Sequence, residues 1–154
     1  MDSRRNGFTM VEMVVTVAVL AIMAAVALPS FSKLIANNRA DSETGDLYRA
    51  LNYTRLEAIN RGLSVRITPA SPGVWTGVLN ITLSSTGTTL RVIPGMSSSA
   101  GLTFNTAPTY IEFNNLGGLT YPAAALTFTY TQATVTRNLG VCLNGRVVLS
   151  GVCS

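Results

Sequence analysis

The sequence predicts an α+β protein: a long N-terminal α-helix, apolar in its first half and amphipathic in its second, packed on an antiparallel β-sheet head domain. Three observations predict it. A nearly uncharged apolar run occupies Phe8–Leu28, a helical apolar stripe continues toward Gly62, and beyond Gly62 short β-branched runs alternate with turn signals. The 154 residues amount to one ordinary domain, or a small domain plus an appendage. Apolar residues make up 47% and charged residues only 12%, which argues against intrinsic disorder, because a disordered chain needs low hydrophobicity and high charge. The sequence contains no histidine, so imidazole bases and imidazole-bound zinc are excluded. Two cysteines allow at most one intrachain disulfide and no multi-cysteine metal site.

The first element is Phe8–Leu28, whose single charge is Glu12. As an α-helix it is about 31 Å long, close to the hydrocarbon thickness of a bilayer. Arg4 and Arg5 precede it, and basic residues beside a first apolar segment hold that end in the cytoplasm. Residues 30–154 are therefore expected on the far side of the membrane. A cleaved secretory signal is the rival reading, with Ala25-Val26-Ala27 as its cleavage site and Leu28 as the new terminus. Glu12 argues against it, because a carboxylate within an apolar span is costly and marks function or a partner.

Gly7-Phe8-Thr9-Met10-Val11-Glu12, the apolar helix and Pro29 together resemble the class III signal of type IV pilins and type II secretion pseudopilins. The resemblance implies that a prepilin peptidase cuts between Gly7 and Phe8 and methylates the new amino terminus of Phe8. It also implies that Glu12 drives assembly, its carboxylate neutralised by the α-amine of a neighbouring subunit and so setting that subunit's register. Cleavage there removes Arg4 and Arg5 but keeps the whole apolar helix, whereas a cut at Ala27 would discard it. The expected organisation is a leader at residues 1–7, a membrane or filament-core helix at 8–29, an amphipathic second half at 30–62, and a β-rich head at 63–154.

Pro29 lacks an N–H, so a kink or local melting is expected there. Beyond it, Leu47, Ala50, Leu51, Thr54 and Ala58 fall on one helical stripe that can pack on a sheet. Glu57 and Arg61 form an i,i+4 pair in the favourable order, and Gly62 is a natural residue to end the helix. Asn37, Asn38 and Gly45 weaken its middle and make a bend plausible. Strands are expected at residues 63–68, 75–83, 89–93, 102–105, 110–114, 125–131, 134–135, 140–143 and 146–149. Turns are expected at Ser71-Pro72-Gly73, Pro94-Gly95, Gly117-Gly118 and Asn144-Gly145, and a loop at 97–101.

Leu51–Val65 resembles the helix end and first strand of the GspH/FimT-type family of minor pilins and minor pseudopilins. Arg55, Glu57, Ala58 and Arg61 match the pattern, and Thr54 replaces its usual alanine. Ile111-Glu112-Phe113-Asn114 with Gly117-Gly118, and Gly145-Arg146-Val147, resemble the same family's later strands. The fit over residues 75–108 is loose. The implied function is that of a minor pilin-like subunit priming or capping a type IV pilus at the inner membrane. The alternative is the H-type minor pseudopilin of a type II secretion system. The implied partners are other major and minor pilins or pseudopilins, the prepilin peptidase, an inner-membrane assembly platform and the lipid bilayer.

Asn144-Gly145 suits a two-residue type I′ hairpin turn, which would place Leu143 opposite Arg146, Cys142 opposite Val147 and Val141 opposite Val148. The tail then folds back so that Cys153 reaches Cys142, a structural disulfide expected to contribute about 3 kcal/mol. A redox centre is disfavoured because Cys-x-x-Cys spacing is absent. In the FimT branch a C-terminal Gly-Arg-x-Arg stretch binds DNA, but Gly145-Arg146-Val147-Val148 keeps only the first arginine. Residues 30–154 carry nine basic side chains against five acidic ones, with no basic cluster and no aromatic platform near Arg146, so nucleic acid is the weakest of the candidate partners. No enzyme is expected. Beyond Gly62 the sole acidic side chain is Glu112, so the sheet domain offers no second carboxylate for acid–base work. No cofactor or metal is implied.

Overall fold

A computed structural model of the chain describes residues 8–151 and 153. It contains one helix, α1 (Met10–Arg61), and nine strands: β1 (Val65–Pro69), β2 (Leu79–Leu83), β3 (Thr89–Ile93), β4 (Ala100–Phe104), β5 (Ile111–Phe113), β6 (Leu119–Tyr121), β7 (Leu126–Gln132), β8 (Val135–Val141) and β9 (Val147–Leu149). The chain divides into two compact units, Met1–Ala36 and Asn37–Ser154.

In the first unit, Thr9 caps the helix: its Oγ1 accepts the N–H of Glu12 at 3.2 Å. Threonine at the cap with glutamate three residues on is the capping-box spacing, and an acidic side chain in the first turn suits the positive end of the helix dipole. The helix is unbroken across position 29, so the local melting considered at Pro29 is not seen; one lost N–H leaves the bonds of the adjoining turns intact. Asn37, Asn38 and Gly45 do not interrupt it either.

The second unit is built around the predicted stripe. Leu47, Ala50, Leu51, Thr54 and Ala58 are all buried, and Ala40 and Thr44 extend the stripe backwards. The Thr54 hydroxyl donates to the Ala50 carbonyl at 2.8 Å, so a threonine at this buried position leaves no polar atom unsatisfied. The helix ends in a Schellman motif at Gly62 (φ +65). Leu63 N–H donates to the Ala58 carbonyl and Gly62 N–H to the Ile59 carbonyl, each at 3.2 Å.

Two antiparallel sheets follow, in the orders β3-β2-β1-β5-β6 and β4-β7-β8-β9. Burial alternates along β1 and β7, the pattern of strands with one face on a core. That core joins Leu47, Leu51 and Ala58 of α1 to Ile67, Ile81 and Phe113 of the first sheet and to Phe128, Leu139 and Val141 of the second. Aromatic contacts join the β1–β2 loop to the second sheet: Trp75 lies 5.4 Å from Phe104 of β4, which lies 5.0 Å edge-on to Phe128 of β7. The Trp75 Nε1–H donates to the Pro108 carbonyl at 2.9 Å.

Several strand expectations need correction. Residues 75–77 form a turn, closed by Gly77 N–H on the Val74 carbonyl at 3.1 Å, and β2 starts at Leu79. Ala100 and Gly101, read as loop, begin β4. Val135 and residues 140–141, read into separate strands, belong to one strand, β8, while Thr134 lies in the turn before it and Cys142 and Leu143 in the loop after it. Its middle is polar because Thr136 and Asn138 face outward and Arg137 bonds Asp41 and Asn37 of α1. β6 was not expected, since its three residues adjoin Gly117-Gly118, which read simply as a turn. The C-terminal hairpin also pairs one residue away from expectation, Val141 with Val147 and Gly140 with Val148. Gly145 N–H donates to the Cys142 carbonyl at 2.8 Å and Cys142 N–H to the Arg146 carbonyl at 2.9 Å. Gly145 has positive φ and Asn144 does not. The connection is therefore a three-residue loop with a bulge at Gly145, not a type I′ turn, and the slip exchanges which side chains share a face.

A buried polar cluster ties α1 to the second sheet. The fully buried Tyr130 donates to Glu43 Oε2 at 2.7 Å and contacts Gln132 Oε1. Ser97 N–H donates to Glu43 Oε1 at 3.1 Å, and the Ser97 hydroxyl to Gln132 Oε1 at 3.1 Å. Burial, and then the adjacent Glu43 carboxylate, push the Tyr130 phenol well above its ordinary value near 10. A phenol whose pKa is raised by folding contributes stability below its unfolded pKa and loses it as pH rises further. The melting temperature is therefore expected to fall steeply above about pH 10, and more shallowly in Tyr130→Phe. Equal alkaline slopes for the two proteins in thermal melts from pH 8 to 11 would contradict this.

Candidate assembly site

Phe8 is exposed and precedes the first helical turn. Gly7, the other half of the expected cleavage position, lies outside the described residues, as do Arg4 and Arg5. Glu12 is exposed at the third helical position, and no cation pairs with it among the described residues. Large apolar side chains exposed around it and beyond include Val11, Val14, Val15, Leu20 and Ile22. The Thr16 hydroxyl donates to the carbonyls of Glu12 at 2.6 Å and Met13 at 3.0 Å, which satisfies it within the helix backbone. The helix is long and apolar enough to cross a membrane. Its first turns, as far as Met23, are apolar on all sides and carry one carboxylate, Glu12.

In the second unit, the residues that carry the later family resemblance meet at one place. Arg55 Nε–H donates to the Gly117 carbonyl at 2.9 Å, and its Nη2 to the Asn144 carbonyl at 3.4 Å. Leu119 N–H donates to the Leu143 carbonyl at 2.9 Å. Asn114 Oδ1 accepts the N–H groups of Leu116 and Gly118, and Asn144 Oδ1 accepts that of Arg146. Gly145, at φ +77, sits so close to Gly117 that a Cβ there would lie 1.7 Å from the Gly117 carbonyl oxygen. One arginine of the helix thus clasps the β5–β6 loop of one sheet and the β8–β9 loop of the other. Sequence reasoning placed Arg55 in the family pattern but did not assign it this role. The side chain of Arg146, the residue weighed for DNA binding, is exposed beside the clasp.

Cys142 and Cys153 form the expected disulfide, with Cα atoms 5.3 Å apart, which pins the tail to the last hairpin. Glu112 is held by the Ser84 hydroxyl at 2.6 Å and by Arg66 at 3.9 Å. A cleft of about 340 Å³ opens between Leu47 and Ala50 of α1, Trp75, Leu79 and the β3 edge. The charged side chains on its wall have partners inside the unit: Asp46 pairs with Arg49 at 2.7 Å, and the Arg91 guanidinium lies over the Tyr53 ring at 5.1 Å. Among the described residues no cluster of His, Cys, Asp or Glu is placed to hold a metal ion.

A helix apolar at its start and amphipathic further on, carrying two antiparallel sheets and a methylation-type N-terminal motif, defines the type IV pilin and pseudopilin class. Residues 43–146 match the family model described as type II transport protein GspH, and residues 2–28 match the prokaryotic N-terminal methylation motif. The chain belongs to the GspH family. Its fold is similar to that of the type IV minor pilin FimU of Pseudomonas aeruginosa, with a TM-score of 0.64 and 22% identity over 78% of this chain and 91% of that one. It is also similar to EpsH, the minor pseudopilin of the Type 2 Secretion System of Vibrio cholerae, with a TM-score of 0.52 and 18% identity over 74% and 94% of the two chains. A type IV major fimbrial protein FimA of Dichelobacter nodosus is 35% identical over 65 residues, a match spanning 40% of this chain and 42% of that relative's length. Proteins of the pilin class are structural subunits.

Replacing Gly145 by alanine forces a Cβ into the Gly117 carbonyl at a backbone angle that L side chains rarely adopt. The expected loss is about 1–3 kcal/mol or more, read as a lower denaturation midpoint. Gly73→Ala, at φ +78 in open space, is the control and is expected to lose less. Equal losses in the two variants would contradict the close packing at the clasp.

Proposed function

We propose that the chain is a minor pilin-like subunit of a type IV pilus, acting at the inner membrane to prime or cap filament assembly. The observation that carries this reading is the conjunction of Gly7-Phe8 and an exposed Glu12 at the start of a helix whose large apolar side chains from Val11 to Met23 are exposed. In this reading the helix is stored in the lipid bilayer with the second unit in the periplasm. A prepilin peptidase cuts between Gly7 and Phe8 and methylates the Phe8 nitrogen. An inner-membrane platform then extracts the helix into a bundle with other pilins. In a medium of low dielectric an unpaired carboxylate is costly; the α-amine of a neighbouring subunit offsets that cost at Glu12 and so favours one register. Pro29 is the proposed position for a bend in the helix.

The description of the matched family model, type II transport protein GspH, supports a second reading as a minor pseudopilin of a type II secretion system. DNA uptake is the weakest reading, because the stretch after Gly145 holds a single arginine, Arg146. In either filament, Glu12→Ala is expected to leave processing intact, seen as a mature mass that differs from the wild type by the Glu-to-Ala replacement alone, while the amount of the chain in sheared filaments falls several-fold. Normal incorporation of that variant would contradict the mechanism.

A further inference from the structure

The clasp holds up an apolar surface that the second unit does not cover. Leu116, at the tip of the β5–β6 loop, is 82% exposed, Leu143 of the β8–β9 loop is 55% exposed, and Ile59 of α1 is 41% exposed. They stand on adjoining segments: a Cβ on Gly117, next to Leu116, would lie 2.6 Å from Ile59 Cδ1, and one on Gly118 would lie 3.6 Å from the Leu143 carbonyl oxygen. Exposed clusters of large apolar side chains on an otherwise polar surface mark interaction sites. This one is held in place before any partner arrives, by the bonds of Arg55 to both loops and the Leu119–Leu143 bond, which lowers the ordering cost of docking.

Charge indicates what docks there. Within the described residues of the second unit, Asp41, Asp46, Glu57 and Glu112 each have an arginine partner, and Glu43 is held by Tyr130 and Ser97. The two arginines at the patch have no carboxylate among the described residues: Arg55 is spent on backbone carbonyls, and Arg146 extends into solvent. A second copy presenting this same face would set arginine against arginine, and the acids of its second unit already have partners. Nucleic acid would satisfy the arginines but has no use for the leucines, and no aromatic side chain is present among these patch residues to stack a base. The complement is an apolar protein surface that carries free carboxylates.

We propose that the Leu116–Leu143–Ile59 surface, with Arg55 and Arg146 at its rim, docks an apolar, carboxylate-bearing face of a different pilin-type subunit in the same filament. This rests on the filament reading above. The test places a benzoylphenylalanine photocrosslinker at position 116 of the full chain in cells assembling their own filaments, with the same group at the exposed Val92 of β3 as control. Irradiated filaments are sheared off and the adducts mapped by mass spectrometry. The expected adduct from position 116 joins a different pilin-type subunit close to an Asp or Glu and is several-fold stronger than that from position 92. Adding Arg146→Glu is expected to cut its yield about fivefold or more, with processing and the Cys142–Cys153 disulfide unchanged. An adduct to another copy of this chain, to DNA or to lipid, or one no stronger than at position 92, overturns the docking site while leaving the filament reading in place. Absence of the chain from sheared filaments overturns both.

Discussion

The constraint on which everything else depends is the uncovered apolar helix of the first unit. From Val11 to Met23 the large side chains are exposed, and burying one such side chain is worth about 1.5–3 kcal/mol. Summed along the span, that free energy requires lipid or other apolar helices as surroundings. The chain is thus a component by construction, stable as a span in a bilayer or as a strand of a helical bundle. Within such surroundings backbone polarity is satisfied by the helix itself, and Thr16 is satisfied by the carbonyls of Glu12 and Met13. The Glu12 side chain is the exception, and in the proposed assembly it is the group that selects a register.

The second unit is organised by the opposite principle, since its polar groups are met internally. No buried side-chain nitrogen or oxygen among the described residues lacks a hydrogen-bond partner, and the acids are engaged by arginines, by Tyr130 or by backbone. Arg137 illustrates the economy: it bonds Asp41 Oδ1 at 2.7 Å and Asn37 Oδ1 at 3.3 Å, tying β8 to α1, and the Asp41 carboxylate raises its pKa further. The disulfide, the Schellman end at Gly62 and the Arg55 clasp close the free ends of the unit. What remains open is the small apolar surface beside Arg146, so a self-sufficient domain is left with a restricted place for recognition.

Legibility in the sequence followed the range of the interactions. Helix features were readable because they are local. The Leu47–Ala58 stripe and the Gly62 terminus are set by spacing and by one residue's backbone freedom, and both are found where spacing put them. The Thr9 cap is equally local, a hydroxyl three residues before the N–H it accepts. The disulfide was readable because just one pairing exists. Strand features were less so. β6 has three residues and is defined by its partner β5, and the polar middle of β8 imitates a loop until its alternation against β7 is seen. The hairpin register turned on whether Asn144 or only Gly145 takes positive φ, which the close approach of Gly117 to Gly145 decides. The clasp itself joins Arg55 to residues 62 and 89 positions away. No local pattern announces such a contact, although the family resemblance includes Arg55, Gly117 and Gly145 among its matched positions.

The central claim is that the apolar helix is kept, cut at its cytoplasmic edge and carried into an assembly. The direct measurement is intact mass together with the N-terminal sequence of the mature protein isolated from membranes. The account predicts a chain beginning at Phe8 with one methyl group on its α-nitrogen. A mature chain beginning at Leu28 would show that the helix is discarded as a secretory signal, and would contradict the account.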